Sequence, residues 1–172
     1  MNLYDILLDE CDNLNIEVYE RHMRIKGLYS DDVIWINKSL PTSIDKCCVL
    51  AEEVGHYHTT VGDILDQSTI ENRKQELKAR AWAYNRLFPL SKLIQAHQLH
   101  IANTYELADF LNITEDFLKA ALDWYKSKYG LYVRIDNFTI CFDPLGILEK
   151  FDWHDLSYSK YESFSKSRDK KF

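Results

Sequence analysis

Leu3, Ile6, Leu7, Cys11 and Leu14 recur at the three- and four-residue steps of a helix, so residues 2 to 14 read as an amphipathic helix with one face on the core. The period then shortens. Ile16 to Glu20 alternates, Ile25 to Tyr29 is strand-like, and Val33 to Asn37 is β-branched and aromatic, with Ser30-Asp31-Asp32 as the turn between the last two. A small antiparallel sheet is the expected product. Pro41-Thr42-Ser43 breaks the chain and caps a second helix, which carries the apolar block Cys47 to Ala51 and should run to about Tyr57 before Thr59, Thr60 and Gly62 end it.

Ser68-Thr69-Ile70-Glu71 has the form of a capping box, in which the serine oxygen and the glutamate side chain satisfy free backbone amides. The helix it opens should reach Phe88, just before Pro89. One face of that helix reads Glu76, Ala79, Ala83, Leu87, a close-packed stripe headed by a carboxylate. A carboxylate there needs a cation or donors. Either a metal ion or an arginine is expected beside it, and Arg73 and Arg80 on the same helix are the ordinary partners.

A helical subregion follows over about residues 90–128. Thr104 to Leu111 and Thr114 to about Lys128 form a tight pair sharing Leu107, Ala108, Leu111, Ile113 and Leu118. The pattern is that of a helix-turn-helix. Its second helix opens with Glu115 and Asp116 and carries Asp123, which would repel phosphates where a recognition helix needs neutral or basic groups. Tyr132 to Ile135 and Phe138 to Phe142, joined by Asp136-Asn137, read as a closing β-hairpin. The expected fold class is α+β: the small sheet packed on the second helix, a helical region, and a short C-terminal hairpin.

The chain has 172 residues, 46% of them hydrophobic, which suits one well-packed domain, expected over residues 1–153. No apolar stretch approaches bilayer length and the amino end carries no signal-peptide core, so a cytoplasmic location is expected. Cys11, Cys47, Cys48 and Cys141 lack C-x-x-C spacing and are expected to be reduced and buried. The net charge of -6 disfavours nonspecific nucleic-acid binding. From Ser157 onward the balance is +3, leaving -9 on the rest; residues 154–172 are expected to be a polar, mobile tail.

The candidate chemistry lies in Glu52-Glu53-Val54-Gly55-His56. On a helix, Glu52 and His56 stack one turn apart, so both can reach one metal ion while Glu53 meets a water on it. This is the zinc-peptidase helix pattern with glutamate in place of the first histidine. Gly55 costs about 1 kcal/mol relative to alanine in a helix interior, which implies either a close backbone approach or an early helix end. His58 and Asp63 are second-choice ligands should the helix unwind after His56. His97 and His100 could share a helical face, but no third ligand accompanies them.

Cys48-Val49-Leu50-Ala51-Glu52-Glu53-Val54-Gly55-His56 resembles the signature of the ImmA/IrrE family of metallopeptidases, whose active helix usually reads L-A-H-E-x-G-H. Lys74-Gln75-Glu76-Leu77-Lys78-Ala79-Arg80-Ala81-Trp82-Ala83 is similar to that family's E-x-x-A-x-x-(aromatic)-A segment, and the likeness covers roughly residues 15–125. The resemblance implies a zincin-like fold, with His56 and Glu76 as metal ligands, Glu53 as general base and Glu52 in the place of the missing histidine. Zn2+ is the cofactor the resemblance implies; a Glu/His/Glu set carries more negative charge than His/His/Glu, which lowers the Lewis acidity available to a bound water and suits a harder ion such as Mn2+ as well. Tyr57 or His58 would serve the oxyanion. The implied activity is cleavage of one phage-type helix-turn-helix repressor; the alternative is an inactive relative that binds the repressor without proteolysis.

Overall fold

The computed structural model describes residues 2–59 and 70–150. Asp63, the Ser68-Thr69 half of the expected capping box and the tail lie outside them. The class is α+β. Six helices, α1 (Leu3–Asn13), α2 (Ser43–Thr59), α3 (Ile70–Leu87), α4 (Leu90–Gln98), α5 (Thr104–Leu111) and α6 (Glu115–Tyr129), accompany two three-stranded sheets. No described helix is long and apolar enough to cross a membrane.

The first sheet holds β1 (Glu17–Arg21), β2 (Gly27–Ser30) and β3 (Val33–Asn37) in the order β1-β3-β2. It is mixed, which corrects the antiparallel expectation: β1 runs parallel to β3, and only β2 is antiparallel to it. The reason is the loop of residues 22–26, which carries the chain past the end of β3. The Asn37 side chain braces that loop, donating to the carbonyls of Met23 at 2.8 Å and Ile25 at 3.0 Å. Asp31 and Asp32 both take positive φ (52° and 61°), the two-residue hairpin geometry that joins β2 to β3.

Ile34 and Ile36 are fully buried toward α2, and so Val18, Glu20, Gly27 and Tyr29, their register partners, share that inner face. Helix α1 packs on α2 through Tyr4, Leu7 and Cys11, while Ile6, expected on its apolar face, is 39% exposed. The closing hairpin is a three-stranded meander of β4 (Tyr132–Ile135), β5 (Phe138–Phe142) and β6 (Leu145–Glu149). Its third strand extends the hairpin expected from the sequence. One buried cluster runs from Tyr4 to Phe142 and includes Leu50, Phe88, Leu118 and Tyr125. All four cysteines are free thiols; Cys141 is only half-buried.

Candidate functional site

Helix α2 continues through His58 to Thr59, so Gly55 is not a helix end. A methyl group at Gly55 would strike the Ala79 carbonyl oxygen and carbon. The glycine is what lets α2 and α3 approach closely, and the Glu76-Ala79-Ala83 stripe is the face that meets it. Ala79 and Ala83 are fully buried, and Glu76 keeps 17% of its side chain exposed at their edge.

Across this contact His56 Nε2 donates to Glu76 Oε2 at 3.2 Å. Arg80, one turn along α3, holds the other oxygen, Oε1, at 2.8 Å. Of the partners expected for Glu76, Arg80 is the arginine that the structure supplies, and His56 from the motif helix is a further one. The His56 hydrogen bond and the nearby Arg80 hold the Glu76 carboxyl below its usual range against the opposing effect of burial.

His56 is only 8% exposed. Burial disfavours its charged form, but the bond to Glu76 and the charges of Glu53, Glu76 and Glu52 outweigh burial and raise its pKa. Burial likewise raises Glu52, with Glu76 adding to the effect and Arg80, His56 and Lys26 opposing it. Glu53 is pushed up to about 7, chiefly by burial. Three carboxylates and one imidazole thus feel one another at the α2–α3 junction, and a carboxyl that titrates near neutrality stands among them.

Strand β2 shapes the surroundings of Glu53. A methyl on Gly27 would stand 2.5 Å from Glu53 Oε1 and 2.5 Å from Val49 Cγ1, so the glycine makes room for the carboxylate against the strand. The backbone amide of Tyr29 bonds to that carboxylate and stabilises its charge. Sequence reasoning missed Gly27, Tyr29 and Lys26, because nothing in a single strand says which helix residue it will face. It also passed over Tyr84, buried two turns beyond Glu76, whose phenol is raised by burial and by the charge of Glu52. The spacing Glu76-Arg80-Tyr84 was the available signal.

Tyr57 meets Tyr29 edge to face, with centroids 6.0 Å apart. The His58 ring stacks on Trp82 at 4.7 Å from within the helix. His97 lies in the last turn of α4, and His100 lies beyond the helix at φ 58°.

A metal would find part of its site prepared. His56 Nε2 and Glu76 Oε2 stand close to the roughly 3.4 Å that separates two donors on one tetrahedral zinc. Imidazole nitrogen and carboxylate oxygen are also the right chemistry. Glu52 shares their electrostatic environment, yet among the described residues no group of three or more His, Cys, Asp or Glu is assembled around a single point.

Neither a curated protein nor a solved structure matches the chain significantly. A family description does: that of the IrrE N-terminal-like domain, a metallopeptidase-type family, matches residues 11–123, from the first helix through the whole α2–α3 junction to α6. On that match, which spans well over half of the sequence, the chain belongs to the IrrE N-terminal-like peptidase family.

Proposed function

We propose that the chain is a metal-dependent endopeptidase with a zincin-like catalytic core, acting in the cytoplasm on one folded protein, a helix-turn-helix repressor, whose cleavage relieves repression. One observation carries this reading: His56 and Glu76 meet at 3.2 Å beside a half-buried Glu53, in a chain of a metallopeptidase-type family. His56, Glu76 and Glu52 would hold a divalent cation, Zn2+ or Mn2+. Such an ion, when bound, polarises a scissile carbonyl and acidifies water. Glu53 accepts the proton of the attacking water and hands it to the leaving amine, and a carboxyl titrating at about 7 suits both halves of that transfer. Gly27 and the Tyr29 amide fix where its oxygens lie.

A second reading has its own observation. Arg80 occupies one oxygen of Glu76, and Glu52 stands where the family pattern has histidine. Both favour a member that binds its repressor without cutting it. Elemental mass spectrometry on the chain and its His56→Ala and Glu76→Ala variants, followed by repressor cleavage with Glu53→Gln, separates the two. About one Zn2+ or Mn2+ per chain, lost in both variants, with cleavage abolished by Glu53→Gln, supports the peptidase. No metal after reconstitution, with the effect on repression kept in Glu53→Gln, supports the binder.

A further inference from the structure

The outer face of the first sheet is built differently from the inner one. Tyr19, Leu28 and Trp35 lie in one cross-strand row there, opposite the buried Ile34 and Ile36. Among the described residues the helices packed on this sheet, α1 and α2, lie against the other side, and Trp35 and Leu28 are not part of the core cluster. Tyr19 stacks on Trp35 with ring centroids 5.1 Å apart and is 44% exposed. Arg21 lies over the Trp35 ring at 4.2 Å. An arginine held flat on an indole keeps its guanidinium edge free to take a carboxylate with two parallel bonds.

The cations at this end of the sheet form a group. Arg21 ends β1, Arg24 and Lys26 stand in the 22–26 loop, and Lys38 follows β3 with its amide on the Arg21 carbonyl at 2.8 Å. All four are exposed, and none has a carboxylate partner among the described residues. Of the two glutamates of β1, Glu20 points to the inner face and is taken by Lys46 at 2.7 Å, and Glu17, at the far end of the outer face, accepts from the Tyr19 hydroxyl at 2.5 Å. The loop is held in shape: besides its two donations, the Asn37 side chain accepts from the amide of Ser39 at 3.0 Å. It presents Ile25, 52% exposed, between Arg24 and Lys26. The group is also continuous with the candidate centre, since Lys26 is near enough to Glu52 to favour its charged form. In a chain of net charge -6, four cations without a carboxylate partner among the described residues, around the exposed Tyr19 and the half-buried Trp35, call for an anionic partner.

We propose that this face, from the Tyr19/Trp35/Arg21 stack across the 22–26 loop to Lys26, is a docking surface for an acidic, aromatic-bearing segment of the protein on which the chain acts. The partner's carboxylates pair with Arg21, Arg24, Lys26 and Lys38, and its apolar side chain covers Trp35 and Ile25. Trp, Tyr and Arg are the side chains that carry most of the energy in protein interfaces. An acidic protein segment is favoured over a nucleic-acid strand because the Tyr19 and Trp35 rings are already stacked on each other and offer no open platform for bases. The assignment rests on the reading of the chain as one that acts on a protein.

The test is fluorescence anisotropy on the full chain carrying Glu53→Gln, in chelator, so that neither metal nor cleavage enters. The probe is a fluorescein-labelled peptide, Glu-Asp-Glu-Phe-Glu-Asp repeated twice; the controls are its lysine counterpart and a twelve-nucleotide thymidine strand. The acidic peptide should bind, weaken with added salt, and lose about tenfold or more in Arg21→Gln/Arg24→Gln and in Trp35→Ala. The double glutamine variant changes only exposed side chains and keeps the test sound if Trp35→Ala folds poorly. Absence of binding, equal binding in the variants, preference for the oligonucleotide, or Trp35-dependent self-association in sedimentation would each overturn the proposal. Peptide binding without repressor cleavage would count against the peptidase alone, and metal and cleavage without peptide binding against the docking surface alone.

Discussion

Two helix pairs, α2–α3 and α5–α6, use close packing to opposite ends. In α5–α6 the local signals agree: Asn103 and Thr114 cap the two helices through the amides of Glu106 and Phe117, and Asn112 makes the turn in the left-handed region. The buried side chains between them are all apolar, and Glu115, Asp116 and Asp123 face outward. In α2–α3 the contact is tighter, with Gly55 against the Ala79 carbonyl, yet it encloses Glu52, Glu53, His56 and Glu76. A pair built only for stability would not put three carboxylates where burial raises two of them. Electrostatic strain inside a close contact supports reading α2–α3 as the candidate site, and its absence fits α5–α6 as scaffold.

Gly55→Ala is the most direct way to break this difference, because the new methyl collides with backbone and not with the end of a flexible side chain. The helices must separate. A loss of about 3 kcal/mol is expected, read in urea denaturation or as a melting point lower by about 6–12 °C. The His56–Glu76 bond should be lost with it, so metal content should fall in the same variant. Ala121→Ser, at the equivalent depth in α6, should cost less than half as much. A Gly55→Ala protein of unchanged stability would show that the close approach is not what holds the two helices.

Glu53→Gln sharpens the electrostatic side. The carboxyl titrates at about 7 in the folded chain against 4.5 unperturbed, so its ionisation opposes folding. Its favourable contribution is complete below about pH 4.5 and is lost as the pH rises through 7. In chelator-treated protein the glutamine variant should therefore be more stable than the parent at pH 8, by about 2 kcal/mol, and the gap should close by pH 5. Urea midpoints at the two pH values check it. A gap that does not change with pH would mean that Glu53 is not destabilised by its surroundings.

The same contrast explains what the sequence revealed. The scaffold pair was legible because its signals are local: Thr114 before Glu115 and the apolar period of Leu107, Leu111 and Leu118 lie within a few residues. Half of the site was legible for the same reason, since Glu52, Glu53 and His56 share one turn, and Glu76 stood out as a carboxylate on an alanine stripe. That Gly55 answers Ala79, or that Gly27 makes room for Glu53, depends on tertiary approach and has no local trace. The direction of β1 was misjudged because alternation fixes which faces a strand presents but not the direction of its neighbour. Asn37, which braces the crossing loop and allows the parallel pairing, looks from sequence like an ordinary strand end. Strand β6 was missed because Leu145-Gly146-Ile147-Leu148-Glu149 alternates too weakly around its glycine.

Thr114→Ala tests whether the scaffold pair is held by its caps. The hydroxyl accepts from the Phe117 amide at 3.2 Å, and losing it should cost about 1 kcal/mol, with Thr114→Ser close to wild type. Metal content should not change. A loss of metal in this variant would couple the two helix pairs, and the division between working site and scaffold would fail.

The smallest effect belongs to Asn112, at φ 57° and ψ 43° between α5 and α6. Asparagine tolerates the left-handed region better than most residues, and glycine tolerates it without strain but gives the unfolded chain more freedom. These contributions oppose each other. Asn112→Gly should shift stability by less than about 0.5 kcal/mol in urea denaturation, whereas Asn112→Val, β-branched at positive φ, should lose about 1–2 kcal/mol. A glycine variant as damaged as the valine one would show that the asparagine side chain, and not the backbone angle, holds the turn. The scaffold pair would then depend on a polar contact just as the working pair does.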